Sequence, residues 1–113
     1  MARSNDTTPV LPSFLEPHAH GHSLRVWCRW CCDWHSHGHD DTPVGDTTHR
    51  GAHCYAPDSE YNETDYWIRV TGIPFSTARK TIRTATAAQQ RAIRDGRISE
   101  AVQQLRAQEP DAG

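Results

Sequence analysis

The sequence predicts a small α+β fold, in which a metal-braced β-hairpin or knuckle module is followed by a C-terminal helical hairpin. Three observations lead there. All four cysteines and five of the eight histidines fall between Trp27 and Cys54. Only 35% of the 113 residues are hydrophobic, too few for a large core, and chains this lean are usually held together by a metal, a disulfide or a partner. From residue 76 onward the apolar residues take up a helical period.

Residues 1–17 contain Pro9, Pro12 and Pro17 and show no periodicity. They predict a flexible arm, which Val10, Leu11, Phe14 and Leu15 could pin to the domain. The arm lacks the apolar h-region of a secretory signal, and no stretch reaches the ~20 apolar residues of a membrane span. A cytoplasmic location is therefore expected. In that reducing setting, cysteines beside histidines favour a metal over disulfides. His18, His20 and His22 would share one face of an extended chain; they read as a solvated lead-in, with a second metal site as the alternative.

A zinc-binding module is expected over residues 18–75. Ser23 to Trp27 reads as a short strand entering the Cys28-x-x-Cys31 turn. Trp27, Trp30 and Trp34 are most simply a miniature core around the metal, and a platform for stacking bases is the functional alternative. Asp40 to Thr48 is a polar loop with Pro43 and Gly45. His49 to Cys54 is the returning segment, and Tyr61 to Val70 has the aromatic and β-branched content of a strand, broken by Gly72 and Pro74.

Residues 76–108 read as a basic amphipathic helical hairpin, with 109–113 as a tail. Ser76 is the expected N-cap. Ala78, Ile82, Ala85, Ala88, Ala92 and Ile93 share one arc of a helix, with Arg79, Lys80, Arg83, Arg91 and Arg94 opposite. Asp95-Gly96 is a stop signal, and Ile98, Ala101, Val102 and Leu105 form a second stripe. The first helix is apolar through alanine and two isoleucines only, so it must dock on the zinc module, on a second copy or on a partner. Net charge is −2 overall but strongly divided, since residues 76–108 carry seven cations against two acids.

Zinc takes about four nitrogen or sulfur ligands in a tetrahedron, often two of them from one C-x-x-C turn. Cys28 and Cys31 supply that pair. His37 and Cys54 are the expected partners from across the loop, with His35 able to replace His37, and His49 or His53 able to replace Cys54. Cys32 points away from its neighbour and reads as a small core residue. The order Cys28-x-x-Cys31, His35-x-His37-Gly38, His49-Arg50-x-x-His53-Cys54 resembles a group of small zinc-binding proteins of actinobacteria and of their phages and mobile elements. The resemblance covers residues 27–54 and departs from the pattern at Thr48, where glycine is expected, and at the extra Cys32. It implies metal binding and a phage or mobile-element setting, and no activity.

Three functions follow. The first is a regulatory protein whose basic helix face, Arg79, Lys80, Arg83, Arg91 and Arg94, contacts nucleic-acid phosphates. Thr71-Gly-Ile-Pro-Phe-Ser-Thr-Ala-Arg-Lys-Thr-Ile-Arg83 also resembles the turn and second helix of a helix-turn-helix, which requires a preceding helix. The second is an adaptor that docks its alanine-rich helix on a host protein, or on another copy as a homodimer. The third, a His-metal nuclease, draws on Asp33-x-His35-x-His37. It lacks room for a separate catalytic strand and a second C-x-x-C, so no catalytic residue is assigned and an enzyme is not expected.

Overall fold

A computed structural model of the chain describes residues 8–108. Five strands form one mixed sheet: β1 (Val10–His18), β2 (Gly21–Cys28), β3 (Asp33–Gly38), β4 (Thr47–Arg50) and β5 (Tyr66–Pro74). Their spatial order is β3-β2-β1-β5-β4. β1 runs antiparallel to β2 and parallel to β5, and the β2–β3 and β4–β5 pairs are antiparallel. Among the described residues, four short helices accompany the sheet: α1 (Tyr61–Thr64), α2 (Phe75–Ala78), α3 (Ala87–Arg94) and α4 (Glu100–Ala107). A mixed α+β architecture is therefore present.

The segment expected as a flexible arm contains the central strand. Leu11 and Phe14 are core residues, and the two prolines inside β1 are tolerated because each lies where the strand is paired on one side only. Pro12 is aligned with Arg69 of β5 but lies beyond the end of the β2 ladder, which begins at Ser13↔Val26. Pro17 is aligned with His22 of β2 but lies beyond the last β5 partner, Leu15↔Pro74. A missing N–H costs a ladder bond only where a neighbour is waiting for it. Residues 1–7 and 109–113, the rest of the expected arm and the tail, lie outside the described residues.

Side chains directly opposite in a ladder share a face, and this divides the core. On one face Phe14, Trp27, Trp34 and Phe75 meet edge to face, with ring centroids 5.1 to 5.9 Å apart. The C-terminal helices lie against this face. Trp27 Nε1 donates to the Gln108 carbonyl at 3.1 Å, while Ile93 and Val102 are fully buried. On the other face lie Leu24, Val26, Ile68 and Val70, all buried. Here the sheet curls until its two edges approach. Asp40, just after β3, pairs with Arg50 of β4 at 3.1 Å and accepts from Thr48 at 3.2 Å.

The long helix expected from Ser76 to Arg94 is divided. It starts at Phe75 rather than after a Ser76 cap, and its first turn ends at Ala78. Thr81, Thr84 and Thr86 are β-branched and weaken a helix, and Thr86 instead caps α3 through a capping box with Gln89. Ser99 caps α4. The expected strand from Tyr61 is one helical turn followed by β5, which runs through Gly72 to Pro74. The helix-turn-helix resemblance fails on this point, because Thr71-Gly-Ile-Pro ends a strand and no helix lies immediately before it.

Candidate metal centre

The β2–β3 hairpin builds the site. Cys28 closes β2, Cys31 lies in the turn, and His35 follows on β3 opposite Val26. Cys54 arrives from the segment after β4. One donor atom from each of Cys28, Cys31, His35 and Cys54 lies within 4.8 Å of all the others. Cys28 Sγ is 3.5 Å from Cys54 Sγ, and Cys54 Sγ is 3.9 Å from His35 Nε2. Tetrahedral zinc with Zn–S near 2.3 Å and Zn–N near 2.0–2.1 Å requires donor separations of about 3.5–3.8 Å, so these four residues fit one ion. All four cysteines are free of disulfides.

The surroundings orient the donors. The backbone N–H of Cys31 points at Cys28 Sγ and that of Ala56 at Cys31 Sγ, each at 3.4 Å. Asn62 grips Cys54 twice, accepting from its N–H at 3.2 Å and donating to its carbonyl at 3.3 Å. The Tyr55 hydroxyl donates to the Cys31 carbonyl at 3.0 Å. Asn62 and Tyr55 were not among the residues singled out from sequence, because a polar residue that positions a ligand carries no spacing signature.

The thiols also show why a cation suits the site. Hydrogen bonds from Cys28 and then Cys31 hold the Cys54 thiol far below the ordinary range. Cys28 is pushed far above it by its hydrogen bonds to Cys31 and Cys54 and by burial. Cys31 rises to about 12, because its hydrogen bond with Cys28, which lowers it, is outweighed by Cys54 and burial. Three sulfurs this close hold one negative charge by themselves, whereas a coordinated thiol is deprotonated outright.

His37 occupies a different position from the one expected. It is two residues further along β3, opposite Leu24, and its Nε2 meets the Tyr66 hydroxyl at 2.6 Å. Burial, then the Arg50 guanidinium and His35, lower its pKa to about 4, while burial raises the Tyr66 phenol. The phenol therefore donates to a neutral imidazole. His35 takes the ligand position because it is nearer the turn that carries Cys28 and Cys31. His49 stacks edge-on against Trp67 at 5.1 Å, and His53 is exposed. Cys32 is buried, with Sγ directed to the Arg29 and Val102 carbonyls, as expected of a core residue. His18 meets Ser23 at 2.6 Å. Among the described residues, the only group of three or more metal-ligating side chains close enough to share an ion is the Cys28 cluster.

Arg79, Lys80, Arg83, Arg91 and Arg94 are all exposed. Among the described residues none of them pairs with a carboxylate, whereas Arg97 pairs with Asp95 at 3.0 Å and Arg106 with Asp58 at 2.7 Å. Arg94 lies over the Tyr55 ring at 5.6 Å, which places α3 beside the metal cluster. No helix among the described residues is long and apolar enough to cross a membrane. Comparison with protein-family models, characterised proteins and solved structures gives no match.

Proposed function

We propose that this chain is a small zinc-binding regulatory protein that binds nucleic acid through the basic surface of residues 79–94. The observation that carries the reading is the set of five exposed cations without carboxylate partners among the described residues. Five cations within sixteen residues, none offset by a neighbouring carboxylate among the described residues, sum to a positive potential that attracts phosphate. Three thiolates and one imidazole are a zinc donor set, and four protein ligands leave no open position, which is the mark of a structural ion. The same closure argues against a His-metal nuclease, since His35 is spent on the cluster and His37 on Tyr66. The phage or mobile-element setting rests on the resemblance over residues 27–54.

An adaptor would need the apolar side of residues 76–94 to be free. Ala78, Ile82, Ala85 and Ile93 are instead buried in the protein's own core and Ala92 is half-buried, so that Ala88 alone of this arc is exposed, which favours the nucleic-acid reading. Fluorescence anisotropy with labelled oligonucleotides tests it. Affinity is expected to fall steeply with salt, with a log–log slope set by about three to five phosphate contacts. Reversing Arg79, Lys80 and Arg83 to glutamate together is expected to abolish binding while leaving one metal per chain. Salt-independent binding, or binding unchanged by the triple reversal, overturns the proposal.

A further inference from the structure

A cleft of about 590 Å³ opens beside the basic surface, between β1–β3 and the segment after α2. Its volume lies within the roughly 300–1,000 Å³ of small-molecule sites. Trp34 and Phe75 line it, 5.1 Å apart and edge to face. Its third arginine, Arg25, is already neutralised: Nη1 donates to Glu16 at 2.6 Å, and the guanidinium lies 4.2 Å over the Phe75 ring. That leaves Arg79, whose guanidinium lies 5.9 Å from the Phe75 ring centroid, and Arg83 as lining cations without carboxylate partners among the described residues. Glu16 and Asp33 also line the cleft, and Asp33 is fixed by the Trp34 backbone N–H at 2.8 Å on one oxygen and by the Gln90 amide at 3.3 Å on the other. Cations without carboxylate partners, aromatic edges and positioned acceptors meet in one opening.

We propose that this cleft holds one nucleotide unit of a single strand. Arg79 and Arg83 take the phosphate, and the carboxylates of Glu16 and Asp33 accept from the amino group of a base lodged against Trp34 and Phe75. This deepens the nucleic-acid reading and rests on it. Carboxylates only accept, so they favour the exocyclic amine of cytosine over the carbonyl of uracil at the same position. A base inside a duplex can enter only after unpairing and unstacking, so a preference for single strands follows.

The test uses the full-length, metal-loaded chain. Anisotropy compares a cytosine-rich single strand with its duplex, and calorimetry measures cytidine and uridine monophosphate. The single strand is expected to bind at least about tenfold more tightly than the duplex, and cytidine monophosphate to bind at one site and uridine monophosphate more weakly. Arg83→Ala, at an exposed position, is expected to weaken the single strand and the free nucleotide by about tenfold or more. Arg91→Ala, outside the cleft, is expected to weaken single strand and duplex alike. Equal binding of the two strands, with no nucleotide bound, overturns the cleft and leaves general nucleic-acid binding standing. Nucleotide binding lost in Arg83→Ala, without polymer binding, keeps the cleft and overturns the broader reading. No binding in any arm overturns both.

Discussion

Replacing His35 and His37 one at a time separates the ligand from its neighbour. A structural zinc site contributes about 10–16 kcal/mol of apparent binding energy. If the four donors share it evenly, His35→Ala removes roughly 2.5–4 kcal/mol, or two to three decades of affinity at 1.4 kcal/mol per decade. His37→Phe removes no donor. It leaves the buried Tyr66 hydroxyl without the partner it meets at 2.6 Å, at a cost of about 1–3 kcal/mol in fold stability. Adding Tyr66→Phe to that variant removes both polar partners and should recover most of the loss. Native mass spectrometry after challenge with a graded chelator reads metal occupancy, and urea unfolding reads stability. The expected pattern is one metal per chain held weakly by His35→Ala, and one held tightly by a less stable His37→Phe. The reverse pattern would refute the geometric argument, because it would put the ligand two residues further from the turn.

Two further outcomes follow from the surroundings of the site. Cys32→Ala should keep metal stoichiometry unchanged and cost about 1 kcal/mol of stability, since its sulfur faces the Arg29 and Val102 carbonyls; loss of metal in the mass spectrum would place it in the cluster after all. The lowered pKa of His37, about 4, gives a signed pH dependence: the unfolded chain takes up the proton near 6.5 and the folded one only near 4. The stability linked to this histidine is thus fully present above about pH 6.5 and is lost as the pH falls towards 4, by roughly 2–3 kcal/mol. Because metal release occurs on acidification too, the measurement is the difference between the wild-type and His37→Phe stability profiles across that window; parallel profiles would contradict it.

The candidate metal centre was legible because its chemistry is written in residue types. Cys28, Cys31 and Cys54 are rare residues at short spacing, and their number and clustering point to one ion. The choice between His35 and His37 was not legible. Both lie on one face of β3 by the two-residue period, and only the ladder register, with His35 opposite Val26, tells which is nearer the turn. β1 was hidden for a related reason. Pro12 and Pro17 read as strand breakers until the staggered lengths of β2 and β5 show that neither proline faces two neighbours. The division of the first C-terminal helix was partly visible in Thr81, Thr84 and Thr86. The alanine and isoleucine arc hid it, since Ile82 and Ala85 are buried although they lie between helices rather than on one.

The position of the cluster explains why so lean a chain can hold a five-stranded sheet. An open sheet has two edges, here β3 and β4, and curling brings them together without a backbone ladder between them. Among the described residues, three sets of side-chain links close that seam: Asp40 to Arg50 and Thr48, His37 to Tyr66, and the cluster joining Cys28, Cys31 and His35 to Cys54. The first is partly exposed to solvent and worth little, and the second is one hydrogen bond. A metal held by the cluster would be the only one of the three strong enough to hold the segment after β4 against the β2–β3 turn. It follows that its loss should open the seam before it dissolves the ladders. The β1–β2 and β2–β3 pairs, covered by Trp27, Trp34 and the C-terminal helices, retain their own contacts, whereas β4 is four residues long and keeps only its pairing with β5 and the solvent-exposed links to Asp40. Hydrogen exchange in the chelated protein should therefore rise first at Thr47–Arg50 and around Cys54, and a simultaneous rise in β2 would show instead that the ion holds up the whole domain.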